Sequence, residues 1–353
     1  MPQWYENSRP SGFGNVKTLE TEIDADVRNA REINSSEFTV GQELINKVEE
    51  LWSESFLPER ACAMPYKIHI YGPEGQFKPH MDTPEKNLVG TFLVGLGDTT
   101  EPGDHLVLDG SRRYGSPAKE WVAFYPDIPH EVTRIESGYR AVIAFKILRR
   151  DNAPETSLTD VRATVVDTPE APARNVINMD MLVAVESVLA DICAIGKPFA
   201  IHLTHLYNKG LTEPVGFDNT LLLAAKKQQV TLVRLLPVLC SRRYVHDEGS
   251  ESGDYTYEDL EARNRVKSSV YPFTDDHMDF LLGDKDALKR ESVQWLKGLE
   301  GIPFWSLLAN WKAGVMWSDD YVEGPGYVGN ESRAHDELSV YLTWAMIVIP
   351  NPA

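Results

Sequence analysis

Residues 66–84 read YKIHIYGPEGQFKPHMDTP, and residues 121–150 read WVAFYPDIPHEVTRIESGYRAVIAFKILRR. Across this part of the chain YKIHIYG, TFLVGL, HLVLDG, EWVAFYP, HEVTRI and YRAVIAFKIL are short apolar runs with the β-branched and aromatic content of strands. Gly72-Pro73, Gly97-Asp98, Pro102-Gly103 and Gly110-Ser111 punctuate them with turn residues. Six or more short strands joined by brief turns predict a β-sandwich or jelly roll over 66–150. A helix should precede it. Thr39 and Gln42 have the spacing of a capping box, and Leu44, Val48 and Leu51 then share one face.

The character changes at residues 151–175, DNAPETSLTDVRATVVDTPEAPARN, which are rich in Pro, Thr, Asp and Glu and lack clear periodicity. This stretch is expected to be a linker between a domain over 1–150 and an α+β domain over 176–353. In the second part, 177–195 reads as a helix with Ile177, Met181, Val185, Val188 and Ile192 on one side and Gly196 as its stop. FAIHLTHLY and VTLVRLLPVL read as strands around a helix from Asp218 to Gln228. Residues 247–259 read as an acidic loop and VYLTWAMIVIP as a buried strand. No repeat of fixed period is present. The fold class expected of the whole chain is therefore α+β.

Composition narrows the partners. The 353 residues are 42% hydrophobic and carry a formal charge of −18, which repels phosphate backbones and anionic lipid and disfavours nucleic-acid or membrane partners. No apolar run approaches the roughly 20 residues that span a bilayer, and the polar start MPQWYENSRPSGFG lacks a signal-peptide layout. A cytoplasmic or nuclear location is expected, not secretion. Cys62, Cys193 and Cys240 are scattered and odd in number, which argues against a disulfide framework or a zinc–thiolate site.

The chemistry concentrates in KPHMDTP. In a strand alternate residues share a face, so His80 and Asp82 would point the same way and Met81 the other. An imidazole beside a carboxylate supplies two corners of a facial triad, and a non-heme Fe(II) site takes a second imidazole as the third. His130, at the head of a later strand, is placed to provide it. Arg140, ten positions further on, should share an inner face with Val142 and Ala144. A buried arginine is costly without a carboxylate partner, and its planar fork suits a bidentate clamp. A diacid chelating the metal at one end and meeting Arg140 at the other would satisfy both groups. Tyr71 is placed to donate its hydroxyl to the same carboxylate.

YGPEGQFKPHMD followed by PHEVTRIESGYRAVIAF resembles the 2-oxoglutarate/Fe(II) oxygenase domain of the prolyl 4-hydroxylase type, over about Tyr66–Arg150. The resemblance implies a double-stranded β-helix, with His80, Asp82 and His130 as metal ligands and catalytic centre. Arg140 is then the 2-oxoglutarate anchor and Tyr71 its helper, with O₂ as oxidant and ascorbate as reductant. Gly103-Asp104-His105 stands where many members have a Gly-Gly-Glu-type turn, and TFLVGLG lacks their Tyr-Leu-Asn pattern. Both departures lie near substrate-facing segments, so a prolyl substrate is not implied. A peptide, an amino acid or a small metabolite would fit. Rival readings are a cupin-like metal hydrolase or isomerase, which leaves Arg140 unexplained, and a non-catalytic oxygenase-fold interaction module.

Other histidines read as structural. A second HMD at His277–Asp279 lies in FTDDHMDFLLGDKD and reads as a helix start capped near Asp275 or Asp276. His69 reads as a hydrogen-bonded core residue and His105 as surface. His202 and His205 fall on opposite faces of a strand. Trp121 and Phe124 fill or cover the barrel. Asp127 is placed either to orient His130 or to make a turn.

Overall fold

In this computed structural model the described residues are 1–15, 20–58, 60–150, 179–211, 213–228, 230–244, 266–284, 286–287, 302, 304–305, 316–317, 322–323 and 340–351. The expected linker 151–175 and the acidic loop 247–259 lie outside them. The chain forms two compact units that divide at Met179/Asp180.

The first unit opens with helix α1 (Pro2–Asn7) and five short strands, β1 (Arg9–Pro10), β2 (Phe13–Gly14), β3 (Thr21–Glu22), β4 (Arg28–Asn29) and β5 (Arg31–Asn34). Helix α2 (Gln42–Ser55) follows. Eight strands come next: β6 (Ala61–Tyr71), β7 (Gln76–His80), β8 (Leu88–Asp98), β9 (Leu106–Leu108), β10 (Arg112–Tyr114), β11 (Trp121–Phe124), β12 (His130–Val132) and β13 (Arg140–Arg149). They build two sheets, β1-β5-β6-β13-β8-β11 and β10-β9-β12-β7-β4, and their pairings are antiparallel. The chain crosses between the sheets after β6, β7, β8, β10, β11 and β12. That winding is a double-stranded β-helix, the jelly-roll solution to sheet edges.

Helix α2 covers the outside through Val48 and Trp52. The Trp52 indole lies only 2.1 Å from where a Cβ on Gly90 would stand, so glycine in β8 is what lets the helix settle. Deleting a buried tryptophan typically costs about 3–5 kcal/mol. The helix starts later than its sequence suggested. Gly41, not Thr39, is the N-cap and no side chain caps it. Gly138, with φ +86° and the Thr99 carbonyl 2.2 Å from a hypothetical Cβ, makes the turn that delivers Arg140 to the head of β13.

Residues 1–38, in which the sequence showed no strand signal, supply two sheet edges. β5 pairs β6 and β4 pairs β7. Two- to four-residue strands have too short a pattern to register as alternation.

The second unit contains α3 (Met179–Cys193), β14 (Phe199–His202), α4 (Gly216–Lys226), β15 (Val230–Tyr244), β16 (Val266–Pro272), α5 (Asp275–Leu282), β17 (Phe304–Trp305), β18 (Met316–Trp317), β19 (Val322–Glu323) and β20 (Thr343–Pro350). Its mixed sheet runs β17-β14-β20-β15-β18-β19, with β16 on β15. β20 is buried along almost its whole length, as VYLTWAMIVIP implied. Asp218, fully buried in α4, accepts from the Thr204 and His205 amides and the Thr204 and Tyr207 hydroxyls.

Two expectations fail here. Leu182 and Leu189 form the buried side of α3, while Met181 and Val188 are exposed. The helix is apolar nearly all round, so periodicity gave no unique face. β14 ends at His202, so strand alternation never reaches His205.

Candidate metal and carboxylate site

β7 and β12 are neighbours in register, with His130 directly opposite His80. Their rings stand 4.0 Å apart, centroid to centroid. Each imidazole directs Nδ1 at the carbonyl two residues earlier, Lys78 for His80 and Ile128 for His130, both at 2.9 Å. A carbonyl only accepts, so Nδ1 of each ring carries the proton and Nε2 keeps the lone pair that a metal needs. Burial, reinforced by the neighbouring His130, drives the His80 pKa well below the usual histidine range. A neutral ring is the form that ligates.

Asp82 reaches the pair differently from expectation. β7 ends at His80, so strand alternation does not place Asp82. Its backbone N–H instead bonds the Pro126 carbonyl, and Thr91 Oγ1 donates to Oδ2 at 2.5 Å. Asp82 Oδ1 lies 3.9 Å from His130 Nε2. That separation leaves Asp82 beside the two imidazoles, where the three side chains would hold a metal between them. As they stand, no three His, Cys, Asp or Glu side chains among the described residues are drawn into an ion site. The donor set nonetheless fits a divalent metal: two imidazoles whose Nδ1 atoms are held by carbonyls, leaving Nε2 as the ligating atom, and one carboxylate, all buried. The Ile128 carbonyl holds Nδ1 of His130, and Asp127 itself is buried beside it.

Arg140 begins β13, with Tyr71 on one side and Asp98 on the other. It is 1% exposed, and its Nε has no hydrogen-bond partner. Burial lowers its pKa, and Tyr71 and Asp98 offset part of that shift; guanidinium stays charged regardless. Asp98 cannot absorb it as a partner. Its two oxygens already accept from the amides and hydroxyls of Thr100 and Ser116. Arg140 Cζ lies 5.7 Å from the Tyr71 ring centroid, so the guanidinium faces the tyrosine ring.

One cleft of about 680 Å³, counting its open mouth, joins these groups. His80, Asp82 and His130 line it together with Arg140, Tyr71, Val142 and Ala144. Phe77 stacks on His80 and Phe124 packs on His130. Trp121 lies half-exposed against Phe92.

Lys146, Thr91 and Arg28 are among the lining residues that the sequence reading missed. Lys146 was within its reach, being on the Arg140 parity of β13. It pairs with Glu85 at 2.5 Å over the Tyr66 ring. Thr91 and Arg28 had no such signal. His69 lines the cleft and is hydrogen-bonded, to Arg28. His105 is a correction. It is 4% exposed rather than on the surface, with Nδ1 3.0 Å from Thr133 Oγ1.

No family model matches the chain, and no curated protein does. Among solved structures it is similar to a Pseudomonas putida prolyl-4-hydroxylase, at 16% identity over 36% of this chain and 76% of that one, TM-score 0.28. It is also similar to a Trichoplax adhaerens prolyl hydroxylase in complex with a hypoxia inducible factor oxygen degradation domain peptide fragment, at 17% over 42% and 74%, TM-score 0.32. A Bacteroides fragilis cupin protein matches at 11% over 28% and 78%, TM-score 0.19. The strand order, rather than these distant likenesses, defines the fold.

Proposed function

We propose that the first unit is an Fe(II)- and 2-oxoglutarate-dependent dioxygenase in which His80, Asp82 and His130 hold the metal. The observation that carries this reading is a single cleft with a His/Asp/His cluster and a buried Arg140 whose neighbouring carboxylate is already occupied. A diacid co-substrate answers both. When bound, Fe(II) and 2-oxoglutarate would activate O₂, oxidising a substrate C–H bond and releasing succinate and CO₂.

The chain's own residues do the positioning. The Lys78 and Ile128 carbonyls fix the ligating tautomers, and Thr91 steadies the Asp82 carboxylate. Arg140 clamps the far carboxylate of 2-oxoglutarate in a bidentate fork, and Val142, Ala144 and Phe124 keep water away. The prime substrate enters from the open side of the cleft.

Purified full-length protein given Fe(II), ascorbate, O₂ and 2-oxoglutarate should form succinate slowly even without prime substrate. Conversion no faster than with His130→Ala would overturn the reading.

A further inference from the structure

Arg28 is 3% exposed and lines the cleft. Nη1 donates to the Gly12 carbonyl, Nη2 meets His69 Nδ1 at 3.0 Å, and Nε has no hydrogen-bond partner. The guanidinium lies over the Phe77 ring at 4.3 Å, and the same ring stacks on His80. Among the described residues no carboxylate forms an ion pair with it. A buried guanidinium matched only by a carbonyl, an imidazole and a ring is an expensive arrangement unless an anion comes to it.

His69 adds to the case. An arginine only donates, so Nδ1 of His69 accepts and its proton sits on Nε2, a second donor in the cleft lining. Burial lowers the His69 pKa strongly, and Arg28, Lys67 and Arg140 push it further the same way. Lys67 is answered by Glu32 and Lys146 by Glu85. In the proposed reading Arg140 is answered by the co-substrate. Arg28 is the cation left over.

We propose that Arg28 and His69 form a second anion-holding pair, which takes a carboxylate group of the prime substrate. This rests on the dioxygenase reading for the word substrate, but the pair is testable without iron or turnover. Arg28 reaches across from β4, the edge of one sheet, to His69 on β6 of the other, so a carboxylate there would lie beside Phe77 and the metal cluster. The substrate class is accordingly a carboxylic acid: an amino acid, an acidic side chain or an organic acid.

The probe is acetate, titrated into metal-free full-length protein labelled with ¹⁵N-histidine, with the His69 ring signals as readout. Wild type and Arg140→Gln should both show the acetate-dependent shift. Wild type should show it equally when 2-oxoglutarate saturates the Arg140 site. Arg28→Gln should bind acetate at least about tenfold more weakly, the order expected for one charge-assisted bond. Should Arg28→Gln misfold, Arg28→Lys keeps the charge and should retain weakened binding. Acetate affinity unchanged in Arg28→Gln, or no shift in wild type, overturns the proposal and leaves Arg28 as a tie to Gly12. Abolition of the shift by 2-oxoglutarate also overturns it, because the pair then serves the co-substrate. If 2-oxoglutarate is never turned over but acetate binds as stated, the dioxygenase reading fails while the anion pair stands.

Discussion

The tripeptide His-Met-Asp occurs twice, once in each unit, and the two copies have opposite chemistry. His80 ends a strand beside His130, gives its Nδ1 proton to a backbone carbonyl and keeps an Nε2 lone pair. His277 lies in the first turn of α5, where Nδ1 accepts the Thr274 N–H at 3.0 Å and meets its hydroxyl at 2.7 Å. The proton of His277 therefore sits on Nε2, and the ring is buried with no lone pair to offer. A three-residue motif does not make a ligand. The backbone groups that choose the tautomer do.

The two copies should differ most visibly toward iron. His80→Ala, Asp82→Ala and His130→Ala should each abolish stoichiometric Fe(II) binding in the full chain, while His277→Ala should bind as wild type. Metal content after anaerobic loading and desalting measures this. Iron lost in the His277 variant, or retained at full affinity in Asp82→Ala, would reverse the assignment of the two copies.

Acid should act on the second unit through a different histidine. Burial lowers the His202 pKa to about 4 from 6.5. The unfolded chain then binds the proton more readily, so stability present above about pH 6.5 is lost as pH falls toward 4. The ceiling on that loss is about 3 kcal/mol, at 1.36 kcal/mol per unit. Amide exchange in β14 should accelerate over this window, and His202→Asn should flatten the dependence. An equally steep profile in that variant would place the titration elsewhere.

The smallest effect belongs to the cap. His277→Ala removes a helix N-terminal acceptor, a change usually worth about 0.5–2 kcal/mol, and also empties a buried site. Urea denaturation followed by the second unit's signals should show a modest loss of stability with iron binding intact. No loss at all would mean the Thr274–His277 pair contributes nothing to α5.

Much of this was legible because β-alternation is a two-residue code. β6, β8, β11 and β13 stand where their apolar runs are, and the same code put Arg140, Val142 and Ala144 on one lining face. His130 was read at a strand head, and the β7–β12 register sets it opposite His80. Other features depend on tertiary context. Asp82 is set by a bond to Pro126 beyond the strand end, and Arg28 arrives on a two-residue strand. His105 is buried by its neighbours, not by its own pattern. In α3 an all-round apolar surface hid the buried side, because Leu182 and Leu189 differ from Met181 and Val188 only in what packs on them.

In the proposed function, Arg140 and the His80/Asp82/His130 cluster hold one diacid between them. Titrating 2-oxoglutarate into anaerobic, Fe(II)-loaded protein and following the metal-to-ligand charge-transfer absorption tests both ends at once. Wild type should develop the band saturably. Arg140→Ala should bind iron normally but need about tenfold to a hundredfold more 2-oxoglutarate, the equivalent of a charge-assisted bond of about 1.5–3 kcal/mol. Arg140→Lys should fall between them. A band that saturates in Arg140→Ala at the wild-type concentration would mean that Arg140 does not hold the diacid.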